Sequence, residues 1–162
     1  MTRLLASFLR DRRGTAAAEM ALVTPLLIII MFGAFEAGNY FWNEHVLIKA
    51  VRDGARFAGR QSFGKYSCAA VTDSAAASAI RAVTRTGSPS GTTPRIAGWT
   101  DAQVTLAVSC VSGESGIYAA NAGDAPRVTV SATVPYTALF GSLIFANDLN
   151  LVASAQSPVM GI

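Results

Sequence analysis

Glu19 is the residue whose setting most needs a chemical explanation. It is the only charged residue in GTAAAEMALVTPLLIIIMFGAF, Gly14 to Phe35. A carboxylate inside an apolar helix costs on the order of 3 kcal/mol on membrane-insertion scales, and less close to the helix end. Glu19 lies four residues after Thr15, one helical turn in, so it could reach a headgroup layer, and the helix macrodipole favours an acid there. A partner cation would offset the cost more fully. The nearest candidate is the α-amino group of Thr15, which exists only if the chain is cut after Gly14. The other reactive side chains offer little. His45 is the only histidine, and Cys68 and Cys110 are the only cysteines. They build neither a His/Cys metal set nor a histidine-based triad. The carboxylates are scattered and no serine sits in a G-x-S-x-G turn. The expectation is a protein that is not an enzyme and uses no cofactor.

The element that positions Glu19 is an apolar run. Thr15 to Ala34 supplies the roughly 20 residues a helix needs to cross a bilayer core. Ala21 to Phe35 has no polar face of the kind a buried soluble helix usually keeps. Pro25 removes one backbone hydrogen bond inside this run, which predicts a kink rather than a break. A cleavable secretory signal would also read basic-then-apolar, but it needs small residues at −3 and −1 past the run. Cleavage after Ala37 puts Phe35 at −3, and cleavage after Gly38 puts Glu36 there. Retention in the membrane is the better reading.

The chain has 162 residues, a net charge of +3 and a pI near 9.2. The excess positive charge lies in residues 1–14, where Arg3, Arg10, Arg12 and Arg13 face only Asp11, and the rest of the chain is balanced. No basic patch with interleaved aromatics survives, so nucleic acid is not an expected partner. A basic leader next to a span keeps the N-terminus cytoplasmic. Lys49, Arg52, Arg56, Arg60 and Lys65 beyond the span are partly offset by Glu36, Glu44 and Asp53.

Gly14, four small residues, Glu19 and then the apolar run resemble the processing site of type IV prepilins. The fuller pattern, GTAAAEMALVTPLL with Gly33 and then Glu36-Ala37-Gly38, resembles the TadE-like pseudopilins of the tight-adherence (Tad, or Flp) pilus system. The likeness is specific from Arg12 to about Arg60 and thin beyond. One departure is Met20, where an aromatic usually follows the glutamate. The resemblance implies cleavage after Gly14 by the membrane-embedded prepilin peptidase, with Glu19 as the recognition residue. By analogy with type IV pilins, it also implies that Glu19 pairs with a neighbour's N-terminal amine. The implied partners are the peptidase, other pilin or pseudopilin subunits, the Tad assembly machinery and membrane lipid.

Beyond Phe35 the helix is expected to continue to about Gly59. His45, Lys49, Arg52, Asp53, Arg56 and Arg60 form one stripe, and Leu47, Ala50, Val51, Gly54, Phe57 and Ala58 the opposite face. The charged stripe reads as a solvated face or as a docking surface. Tyr40, Phe41 and Trp42 read as interfacial anchors or as core. Cys68 to Thr86 is alanine-rich and reads as a second helix, stopped by Gly87-Ser88-Pro89. Residues 87–98 read as an exposed loop. Three alternating segments follow, with apolar faces Val104, Leu106, Val108, Cys110; Val128, Val130, Ala132, Val134; and Leu149, Leu151, Ala153, Ala155. They predict an antiparallel sheet covered on one side by helix. Residues 112–126 read as a loop, and 138–146 as a short apolar connection.

Cys110 falls on the apolar face of its segment, and Cys68 opens the helix expected to cover that face. Two cysteines in an exported domain favour a disulfide, with two free buried thiols as the alternative.

The fold class is therefore α+β: a long N-terminal transmembrane helix running into a small domain with a second helix and a three-stranded antiparallel sheet. The expected organisation is a cytoplasmic leader over 1–14, a span over 15–35 and an exported domain over 36–162. The protein would be a single-pass protein of a bacterial inner membrane, its C-terminal domain outside the cytoplasm. Two roles fit: a pseudopilin or minor pilin cut after Gly14, or an uncleaved membrane-anchored protein that scaffolds pilus assembly or binds an envelope partner.

Overall fold

The computed structural model describes residues 14–141 and 149–161. The leader up to residue 13, and residues 142–146 of the expected apolar connection, lie outside the described residues. The chain divides into two units, Met1–Gly38 and Asn39–Ile162. One helix, α1 (Thr15–Gly59), contributes to both and runs without interruption through Pro25.

In the first unit most of α1 is exposed among the described residues. Every residue from Gly14 to Met31 is exposed, including Leu22 at 80% and Ile29 at 62%. Apolar side chains displayed on all sides of a helix need a solvent other than water. This helix is long and apolar enough to cross a membrane. Thr24, in the middle of the run, donates to the carbonyl of Met20 at 2.6 Å, which satisfies it without a partner from outside the helix.

The second unit is a sheet with helices on one face. Strands β1 (Val104–Val111), β2 (Ala125–Pro135) and β3 (Asn150–Pro158) form an antiparallel meander in the order β1-β2-β3. Its core joins Val104, Val108, Val128, Val130, Val134 and Leu151 from the sheet with Leu47, Ala50, Val51, Ala55 and Ala58 from α1. The alternation read from the sequence holds on the three strands, except that Leu149 lies ahead of β3 and is exposed: β2 buries Val128, Val130, Ala132 and Val134 and turns Arg127 and Thr133 outward. The amphipathic reading of α1 holds as well, with His45, Lys49, Arg52, Arg56 and Arg60 exposed opposite its buried face.

The second helix is shorter than its composition implied. Helix α2 spans Ser74–Thr86, so Cys68 does not open it. Asp73 starts the helix, its carboxylate accepting from the N–H groups of Ala75 and Ala76 at 2.9 and 3.4 Å. An oxygen at this position satisfies donors that have no partner within the helix. Gly87 ends α2 with φ of +88°, and its N–H returns to the Val83 carbonyl. Residues 112–126 are not all loop: Gly116–Asn121 forms a 3-10 turn and β2 begins at Ala125.

Candidate functional site

The candidate site of the first unit is the start of α1. Gly14 directly precedes the helix, Thr15 is its first residue, and Glu19 lies one turn in. All three are exposed. Glu19 forms no ion pair among the described residues, so its carboxylate is offered outward. A Cβ added at Gly14 would have nothing within 4 Å among the described residues, and the same holds at Gly33 and Gly38. Packing within the described chain therefore does not require glycine at any of these three positions. Contrast Gly54, in the same helix but in the second unit, where a Cβ would run into the side chain of Thr84 on α2. That glycine lets two helices approach, a need that helix propensity alone does not reveal.

In the second unit the structure separates three aromatics that sequence reading grouped. Tyr40 packs edge-on against Tyr136 with ring centroids 5.2 Å apart, whereas Phe41 and Trp42 are 57% and 70% exposed. Asn39 donates to the Tyr136 hydroxyl at 2.8 Å, and Asn43 donates to the Asn39 carbonyl at 2.8 Å. This end of the unit's helix is thereby tied to the chain just past β2. The other end is tied at Gly59, whose carbonyl accepts from Met160 at 2.8 Å.

Cys68 and Cys110 form a disulfide, with Cα atoms 5.1 Å apart. It is not buried under α2 as the sequence implied. Cys68 is exposed in the turn ahead of the helix, and the bond staples that turn to the end of β1. Two anchors escaped sequence reading. Ile96, within the 87–98 stretch that read as an exposed loop, is buried, and Trp99, just past it, is 2% exposed. Arg95 holds that loop down by an ion pair with Asp53 of α1 at 2.9 Å. Glu36, at the end of the apolar run, is also buried. Among the described residues no three His, Cys, Asp or Glu side chains gather where they could hold a metal ion.

Residues 14–56 match the family model of the TadE-like proteins. The match begins at Gly14 and ends within α1, so it covers the helix and leaves the sheet outside it. No curated protein and no solved structure matches the chain.

Proposed function

We propose that this chain is a pseudopilin or minor pilin that takes part in assembling a Tad pilus, and that prepilin peptidase cuts it after Gly14. The observation that carries this reading is the coincidence of three boundaries. The TadE-like match starts at Gly14, α1 starts at Thr15, and the single carboxylate of the apolar run lies one turn further on. A glycine directly before the helix, with nothing among the described residues within 4 Å of an added Cβ, suits an enzyme that must reach the backbone there.

In this account the basic leader holds the precursor with its N-terminus in the cytoplasm of the inner membrane, and the second unit is exported. Cleavage leaves Thr15 with a charged amine. Glu19 then neutralises the amine of a neighbouring subunit within a bundle of apolar helices. An unpaired charge in such a bundle is expensive, so pairing makes docking selective. The disulfide fits a compartment outside the cytoplasm.

Glu19→Ala tests the pairing. The variant removes a charge from the run and should insert in the membrane as well as the native chain. It should fail to co-purify with pilus components, and normal piliation would sink the proposal. An uncleaved, permanently anchored accessory protein is the second reading, favoured by Met20 in the place where an aromatic usually follows the glutamate.

A further inference from the structure

Among the described residues, the sheet of the second unit ends in two open edges. Tyr136 donates to the Leu149 carbonyl at 2.9 Å and Val159 to the Pro126 carbonyl at 2.8 Å. With the β2–β3 register, these bonds assign the odd-numbered residues of β3 to the ladder with β2. The N–H and C=O groups of Val152, Ser154 and Gln156 therefore point away from the sheet. By the same parity β1 bonds β2 through Thr105, Ala107 and Ser109 and turns the backbone of Leu106, Val108 and Cys110 outward. Proteins ordinarily guard such edges with lysine, proline or a bulge. Here neither β1 (VTLAVSCV) nor β3 (NLVASAQSP) has a charged residue, and the one proline, Pro158, closes β3. An open cleft of about 420 Å³ runs beside the start of β1, lined by Arg81, Asp101, Ala102, Val104, Thr105 and Leu106. Helix α2 thus leaves room at that edge.

We infer that β3 of one copy pairs in parallel with β1 of the next, so that copies join through a continuous sheet. Three features favour a second copy in this arrangement. First, β1 and β3 run in the same direction, because both are antiparallel to β2. Second, the faces match. In a parallel ladder an outward-bonding residue lies opposite one that bonds inward, which sets Val152, Ser154 and Gln156 against Thr105, Ala107 and Ser109 of the neighbour. On each strand these are the side chains of the face away from the helices. Third, repetition by β3-to-β1 pairing keeps every copy in one orientation and does not close on itself.

The symmetric alternative, β3 on β3, is antiparallel. Helix α1 runs alongside β3 in the same sense, from Tyr40 near Tyr136 to Gly59 near Ser157. Symmetric pairing would therefore send the two chains out of opposite ends of the pair, whereas β3-to-β1 pairing sends every chain out of the same end, which suits copies anchored in one membrane. The inference rests on membrane anchoring and not on cleavage after Gly14.

Two differently tagged full-length chains, one with Ser154→Cys and one with Ala107→Cys, test it in native membranes under mild oxidation. Both sites are on the exposed face or rim of the sheet, and mass analysis confirms that Cys68–Cys110 stays intact. The expected product is the mixed adduct joining position 154 of one chain to position 107 of the other. Adding Val152→Lys to the first chain should cause loss of that adduct while leaving the fold, read by circular dichroism, unchanged. A symmetric 154–154 adduct as the main product, no adduct in any combination, or an adduct indifferent to Val152→Lys would each overturn the inference.

Discussion

Gly54 and Thr84 show how much of this fold turns on single atoms. Thr84 is fully buried and its hydroxyl donates to the Ile80 carbonyl at 2.7 Å, so it has little freedom to yield. Gly54→Ala would gain helix propensity but overpack the crossing. It should destabilise the protein by about 1–3 kcal/mol, and adding Thr84→Ala should recover part of the loss in denaturant melts. Tyr66 makes a pH-dependent contribution. Its hydroxyl donates to the Ala58 carbonyl at 2.7 Å, and burial pushes its pKa up from 10.0 to about 12. The folded state favours the protonated phenol, so this contribution is complete below pH 10 and is lost as pH rises through 10 towards 12. The stability difference between the native chain and Tyr66→Phe should be constant up to about pH 9 and shrink above pH 10, measured as melts across that range. A difference that widened with alkali would contradict the assignment.

At the scale of elements, the strands and the long helix were legible, and the reason is burial on one face. Alternation in Val128 to Val134 and the three-to-four spacing in His45 to Arg60 each record which side meets the core. The start of α2 was obscured because Cys68 to Val71 is as alanine-rich as the helix itself. The disulfide and the cap at Asp73 decide it instead, and only the cap has a local signature. Asp73→Ala should therefore cost about 1 kcal/mol, read as a lowered denaturant midpoint. Ile96 and Trp99 were not legible as core because what pins their loop, Arg95 on Asp53, is distant in sequence. Replacing both cysteines by alanine reopens a loop with a sequence separation of 42. In the chain-entropy model this should cost about 4 kcal/mol, and melts of the double variant beside the oxidised native chain would show it.

At the scale of the molecule, the TadE-like match and the sheet occupy different parts of the chain. The match runs from Gly14 through α1 to residue 56, and the sequence singled out Gly14, Thr15 and Glu19 at its start because a lone carboxylate in an apolar run is costly. The sheet outside the match supplies the edges, whose openness depends on ladder parity and strand order that no single segment encodes. In the proposed function, cleavage after Gly14 creates the amine that Glu19 of a neighbouring subunit meets. Its most direct test is the intact mass of the native protein in membranes of cells with and without prepilin peptidase. The expected result is a chain beginning at Thr15 only where the peptidase is present, and a full-length precursor where it is absent. A full-length chain in both would contradict it and leave an anchored accessory protein whose Glu19 has no amine to meet.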